Sequence, residues 1–320
     1  MDHKHVHHGS AHLRDEDDAI RGTNDEATTG KLSAVCRGYY QDQFVSAFGP
    51  KKLRQPSLPP LMNRGHFARS LAIETVAKRF LTQAISSSDA SSSAQIVSLG
   101  CGFDTLYFRM CVSSPELVAS LHYFEVDFDE VVRKKTHVLQ HEAMFAPYLD
   151  PKKYSLFACD LRNTKELTEL LGQRQFDPKV PTLFLSECVL IYMSAEEGTN
   201  IIQWAAALPR SMFCTYEQIR PHDGFGKTMI RNLEQRNIPL HSLLAYPELQ
   251  DQERRYTLAG FEWAKAKTML DVFDKYLPQD LVRRACQIEF FDEFEEWQIV
   301  LSHYCLVVAG KEERTSEIFL

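Results

Sequence analysis

Apolar positions along the chain follow two rhythms. Over residues 66–85, Leu71, Ile73, Val76, Ala77, Phe80, Leu81 and Ile85 recur at helical spacing, which predicts an amphipathic helix. Short apolar runs follow: Gln95 to Gly100, Leu121 to Phe128, Tyr154 to Leu161, Pro181 to Leu190 and Met212 to Glu217. Helices are expected between them at 103–111, 129–144, 164–172 and 195–207. Strands alternating with helices predict an α/β fold with a mostly parallel sheet covered on both faces. Such sheets take ligands at the carboxyl ends of their strands. The rhythm then changes. A helix is expected at 224–237, weak signals fill 238–262, a strand covers Trp263 to Thr268, helices cover 270–286 and the segment from Phe291, and the last strand runs from His303 to Gly310.

The flanking segments read differently. Residues 1–30 hold seven acids, three bases and no aromatic residue, so a flexible polar tail is expected. Pro56, Pro59 and Pro60 mark a connector, and the serines at 86–93 mark a loop. The histidines at 3, 5, 7 and 8 are assigned no function. At 44% hydrophobic and 25% charged residues, the chain has the profile of a soluble globular protein. No apolar run is long enough to span a membrane, and the start lacks the apolar core of a secretory signal. A formal charge of −7 gives no general attraction to nucleic acid or anionic membrane. The eight cysteines include no Cys-x-x-Cys pair. Reduced, buried thiols in a cytoplasmic protein are the expectation.

Candidate chemistry gathers at the predicted strand ends. Gly100-Cys-Gly102-Phe-Asp104-Thr105 follows the first strand. Glycines there let backbone approach a ligand. A dinucleotide fingerprint needs a third glycine where Thr105 stands, so NAD and FAD are disfavoured. Gly-x-Gly followed by an acid suits S-adenosylmethionine, although a plain strand–helix turn gives the same pattern. Asp127 lies 27 residues after Gly100, near the spacing at which an acid meets ribose hydroxyls. Glu125 reads as a solvated strand-end charge. Asp160 can accept from an adenine amine while Leu161 covers the ring. Glu187 is costly to bury unpaired in a central strand, which places it at the open end. Structural ion pairs remain the alternative for Asp160 and Glu187. His137 and His141 read as a solvated helix face and not as a metal site.

These segments together resemble the leucine carboxyl methyltransferase family. The resemblance rests on Met62-Asn-Arg-Gly-His-Phe-Ala-Arg69, Val97-Ser-Leu-Gly-Cys-Gly-Phe-Asp-Thr105, Tyr123-Phe-Glu-Val-Asp-Phe128, Ala158-Cys-Asp-Leu161 and Ser186-Glu-Cys-Val-Leu-Ile-Tyr-Met193. It continues through Tyr216-Glu-Gln218, Phe225-Gly-Lys-Thr-Met229, Phe290-Phe-Asp-Glu-Phe294 and His303-Tyr-Cys305. It implies a class I methyltransferase: a seven-stranded Rossmann-like sheet over 94–320, a helical cover over 31–93 and a substrate lid inserted at about 220–262. It places S-adenosylmethionine against Lys31, Arg69, Gly100, Asp127, Asp160, Leu161 and Glu187. The implied activity is methylation of the C-terminal leucine α-carboxylate of the protein phosphatase 2A catalytic subunit. The implied partner presents its C-terminal tail and active-site face, with neither nucleic acid nor membrane involved, and a monomer is expected. Such a carboxylate is already ionised at pH 7, so no general base is required. Arg69 can anchor a carboxylate bidentately. Tyr192 is the candidate donor on the acceptor side, with a packed aromatic as its alternative. A small-molecule acid as acceptor, a non-catalytic partner-binding module and a nicotinamide oxidoreductase are the competing readings.

Overall fold

Seven strands form one sheet in the order β3-β2-β1-β4-β5-β7-β6. They are β1 (Ala94–Leu99), β2 (Leu121–Asp127), β3 (Tyr154–Ala158), β4 (Thr182–Glu187), β5 (Ser211–Gln218), β6 (Trp263–Thr268) and β7 (Tyr304–Gly310). The first five pair in parallel, and β7 runs antiparallel to both neighbours, β5 and β6. The order reverses at β1 and β4, the switch point where α/β sheets open a crevice. The computed structural model describes residues 7–49, 56–86 and 93–312, with side chains from Glu16. The serines at 87–92 and the histidines at 3 and 5 lie outside the described residues, and the side chains of His7 and His8 are not described.

Eleven helices are described: α1 (His7–Cys36), α2 (Pro60–Ser86), α3 (Leu106–Ser113), α4 (Asp129–His141), α5 (Thr164–Gly172), α6 (Ala195–Ala206), α7 (Gly224–Glu234), α8 (Leu249–Leu258), α9 (Met269–Asp271), α10 (Gln279–Ala285) and α11 (Phe294–Ser302). One core joins α2, α3 and α11 to one sheet face through Ile73, Phe80, Phe108, Trp297 and their neighbours. A second joins α5, α6 and α8 to the other face through Leu167, Ile202 and Tyr256. The sheet is thus covered on both sides, as expected. None of the described helices is long and apolar enough to cross a membrane.

Four expectations need correction. Within the expected polar tail, residues from His7 belong to α1. Its inward stripe is polar, which an apolar-period reading passes over. The expected helix at 270–286 is broken into α9, a π turn over Val272–Tyr276, and α10. Leu277 is extended (ψ 156°) because it precedes Pro278. Glu125 is not solvated. It lies inside the sheet, fully buried, with its carboxylate 2.6 Å from the Lys135 ammonium of α4. Of the eight cysteines, Cys36 and Cys286 are exposed. Within 220–262, α8 packs into the second core through Tyr256.

Candidate functional site

A cavity of about 950 Å³ opens at the carboxyl ends of β1, β2, β4 and β5. Its roof is α1. Asp17, Arg21, Asn24, Thr28 and Lys31 all line it, and their 4-3-4-3 spacing keeps them on one helix face. They are held by the sheet's ends. The Asp17 carboxylate accepts from Arg162 at 2.9 Å, and Asn24 Oδ1 accepts from the Phe103 N–H at 2.9 Å.

Beneath α1 lies a chain of alternating charges. The Lys31 ammonium is 2.9 Å from Asp104 and 3.0 Å from Glu187, and Glu187 also accepts from Arg69 Nε. The Arg69 guanidinium stacks over the Tyr216 ring, 5.0 Å from its centroid. Burial lowers the Lys31 pKa, but Asp104 and Glu187 outweigh it and leave the ammonium above its ordinary value. Burial likewise raises the Asp104 pKa, and Lys31 then Arg109 pull the carboxyl below the usual range. Two cations, Lys31 and Arg69, thus meet two acids, Asp104 and Glu187, and the formal charges of the four groups cancel. His66, one helical turn before Arg69, is pushed down to about 3 by burial and by the Arg69 and Lys31 charges. Its imidazole is neutral at pH 7.

The glycine turn is a backbone cradle. Gly100 and Gly102 have φ of 64° and 50°, a region that L side chains rarely adopt. A Cβ on Gly100 would meet Val189 at 2.6 Å, and one on Gly102 would meet Asn24 Oδ1 at 2.6 Å. Asp127 closes the cradle. One carboxylate oxygen accepts from the Gly102 N–H and the other from the Phe128 N–H, both at 2.7 Å. Burial raises its pKa, partly offset by these two N–H groups.

The structure brings Lys31, Arg69, Gly100, Asp127, Leu161, Glu187 and Tyr192 together on the cavity wall. Asp160 is apart. Its neighbours Cys159 and Leu161 line the cavity, while its own carboxylate is forked by Arg162 at 2.8–3.0 Å. That ion pair, and not an open acceptor, is what the structure shows there. Tyr192 lies on a short 3₁₀ turn, Leu190–Tyr192, after Cys188 turns the chain with φ 56°. Burial first, and then the Cys188 thiol, raise its pKa. His137 and His141 are exposed. Among the described residues no group of His, Cys, Asp or Glu is arranged to hold a metal. The residues missed from sequence are the α1 stripe ahead of Lys31, Arg162 and the Tyr216–Tyr304 stack, whose ring centroids are 5.2 Å apart.

An α/β sheet of this order, with a glycine cradle and an acid at the second strand end, defines a methyltransferase-type α/β protein. Two solved structures share the fold: a putative methyltransferase from Thermobifida fusca (14% identity, TM-score 0.54, covering 89% of this chain and 94% of that one) and a duf574 family protein from Streptomyces avermitilis (12%, 0.51, 88% and 97%). Residues 19–206 match the sequence model of the family described as leucine carboxyl methyltransferase. The chain belongs to that family. It is 36% identical to the Arabidopsis thaliana leucine carboxyl methyltransferase 1 homolog, over 91% of this chain and 89% of that protein. The Caenorhabditis elegans leucine carboxyl methyltransferase 1 is also 36% identical, over 92% of each. Human tRNA wybutosine-synthesizing protein 4 is 36% identical over 93% of this chain, which spans only 45% of that protein.

Proposed function

We propose that the protein transfers a methyl group from S-adenosylmethionine to the C-terminal leucine α-carboxylate of the protein phosphatase 2A catalytic subunit. The observation that carries this reading is the neutral charge chain Lys31–Glu187–Arg69 with Asp104, beside the glycine cradle, in a chain of this family. The residues fit the donor. Its amino-acid end carries one positive and one negative charge, and a set of two cations and two anions accepts such an end without net charge. The cradle excludes side chains at Gly100 and Gly102, leaving backbone for close approach. Asp127 keeps acceptor capacity for hydroxyls, since a carboxylate offers about four lone-pair sites and it uses two here.

When bound, S-adenosylmethionine supplies an electrophilic methyl group on a sulfonium. The residues of this chain position and shield. Glu187 fixes Arg69 through Nε, and Tyr216 holds the guanidinium plane. Tyr192 presents a protonated hydroxyl at neutral pH, a donor for a carboxylate. No residue need remove a proton, because the leucine carboxylate titrates near ~3.5. The α1 roof limits water, and orientation supplies most of the acceleration.

The test is transfer from tritiated S-adenosylmethionine. The reading expects a base-labile methyl ester on the intact phosphatase catalytic subunit and none on the amidated, extended or leucine-deleted subunit. A second reading has its own observation, the 36% identity to the human tRNA-modifying protein. Label in transfer RNA, with none in the phosphatase, selects that reading. Label in small carboxylic acids alone selects the small-acid alternative.

A further inference from the structure

We propose that Arg255 is a positioning residue that locks the lid loop and the Tyr192 turn into one unit over the acceptor end of the cavity. The catalytic relevance rests on the methyl-transfer reading above, but the locking itself does not. Arg255 and Glu217 form a fully buried ion pair, with 0% exposure of both side chains and Nη1 3.3 Å from Oε2. Glu217 follows Tyr216 on β5, so its side chain points to the opposite face of the sheet. Burial raises its carboxyl pKa, and Arg255 and then the nearby backbone N–H groups of Ile191 and Leu190, the first two residues of the Tyr192 turn, partly offset that rise.

The same turn is gripped from its other side by the lid loop. The Ser242 hydroxyl donates to the Leu190 carbonyl at 3.0 Å, and the Ser242 N–H donates to the Ile191 carbonyl at 3.2 Å. Ile191, Leu240 and Leu243 form a small core of their own, against which Tyr192 and Leu233 of α7 pack. Arg255 reaches this loop directly, with its guanidinium 4.4 Å from the centroid of the Tyr246 ring. Gln252, one turn earlier on α8, donates to the Tyr246 carbonyl at 3.1 Å. The guanidinium lies against Gly198, where a Cβ would meet Nη2 at 2.3 Å and displace it.

Stability alone does not account for this arrangement. The Arg255 Nε and Nη2 and the Glu217 Oε1 have no hydrogen-bond partner. Apolar replacement of such a buried pair is often neutral or stabilising. What an apolar pair could not do is set a carboxylate beside these two amides on one side and a guanidinium over a tyrosine of the lid on the other. Arg255 therefore acts through Tyr192 and the lid, without touching the reacting atoms.

The test compares wild type with Arg255→Met, Gly198→Ala, and the paired replacement Arg255→Met with Glu217→Met. Gly198→Ala displaces the guanidinium without removing a charge, and the paired replacement guards against misfolding by an orphaned carboxylate. Hydrogen exchange on the full-length protein should show residues 190–192 and 238–246 exchanging faster together in all three, with α2 unchanged. The acceptor KM should rise about 3–30-fold while the S-adenosylhomocysteine Kd stays at its wild-type value. A smaller active fraction alone lowers kcat and leaves KM intact. Unchanged exchange in both segments, or a KM that stays put in the folded paired variant, overturns the proposal. Wild-type protein that methylates no phosphatase overturns the proposed function instead, and the exchange data still decide the locking.

Discussion

Lys31 Nζ lies 3.0 Å from the Glu187 carboxylate, joining α1 to the end of β4 across 156 residues of chain. The same ammonium holds Asp104. Lys31→Met removes one cation from a balanced set and leaves two half-buried acids, Asp104 and Glu187, without the ammonium that joins them. Affinity for S-adenosylhomocysteine should fall by about 1–3 kcal/mol, the cost of an unmatched charged partner. Limited proteolysis within α1 should quicken at the same time. Unchanged values for both would show that the bridge neither seats the ligand nor fastens the helix.

Gly102 couples the cradle to the roof. Gly102→Ala adds a Cβ where φ is 50° and where Asn24 Oδ1 stands 2.6 Å away. The strained backbone costs about 1–3 kcal/mol, and Asn24 must leave the Phe103 N–H it accepts from. Urea denaturation should register the loss. Adding Asn24→Ala should recover only part of it, because the clash is relieved and the backbone strain is not.

How much of this was legible in the sequence follows from what each residue faces. The strands β1, β2, β4 and β5 are buried on both faces, so their apolar runs stand out, and Asp127 and Glu187 mark the ends of β2 and β4. The roof was not legible. Asp17, Arg21, Asn24 and Thr28 repeat at helical spacing ahead of Lys31, but they face the cavity, and a search for an apolar stripe discards them, so only Lys31 was reached, through the family resemblance. Helix α8 was hidden for a related reason. Two of its three buried residues, Gln252 and Arg255, are polar, matched to the Tyr246 carbonyl and to Glu217, and only Tyr256 joins the apolar core. Glu125 was misread because a buried carboxylate needs a cation, and its partner Lys135 lies in a helix that otherwise reads as solvated. Asp160 stands two residues past its strand, where Arg162 is close enough to claim it.

The Lys135–Glu125 pair gives a stability prediction. Both side chains are fully buried, and the Tyr154 hydroxyl also donates to Glu125. Lys135→Met strands the carboxylate in the core and should cost about 3–5 kcal/mol in urea unfolding. Lys135→Met combined with Glu125→Gln should cost clearly less than the single replacement, since no charge is then left alone. A double variant as unstable as the sum of its parts would mean that the two groups act independently.

Asp127 sets a pH dependence with a definite sign. Burial raises its carboxyl above the model-peptide value of 3.8. Hydroxyl donors favour the ionised form, so ligand binding is complete above the raised value and is lost as pH falls through it. Asp104 is shifted the other way and stays ionised over that range. Affinity for S-adenosylhomocysteine should therefore weaken on acidification from about pH 7 in the wild type. In Asp127→Asn it should start lower and show a flatter profile. An equally steep profile in the variant would assign the titration to another group.

The claim that the cavity under α1 is the methyl-donor site meets its most direct test in one calorimetric comparison. Wild-type protein and Asp127→Ala are each titrated with S-adenosylhomocysteine. The account predicts saturable one-to-one binding to the wild type and a loss of about 2–4 kcal/mol in the variant, from charge-assisted bonds worth roughly 1.5–3 each that do not add fully. Binding to Asp127→Ala within about threefold of wild type, a difference under ~1 kcal/mol, or no binding to the wild type at all, would contradict it.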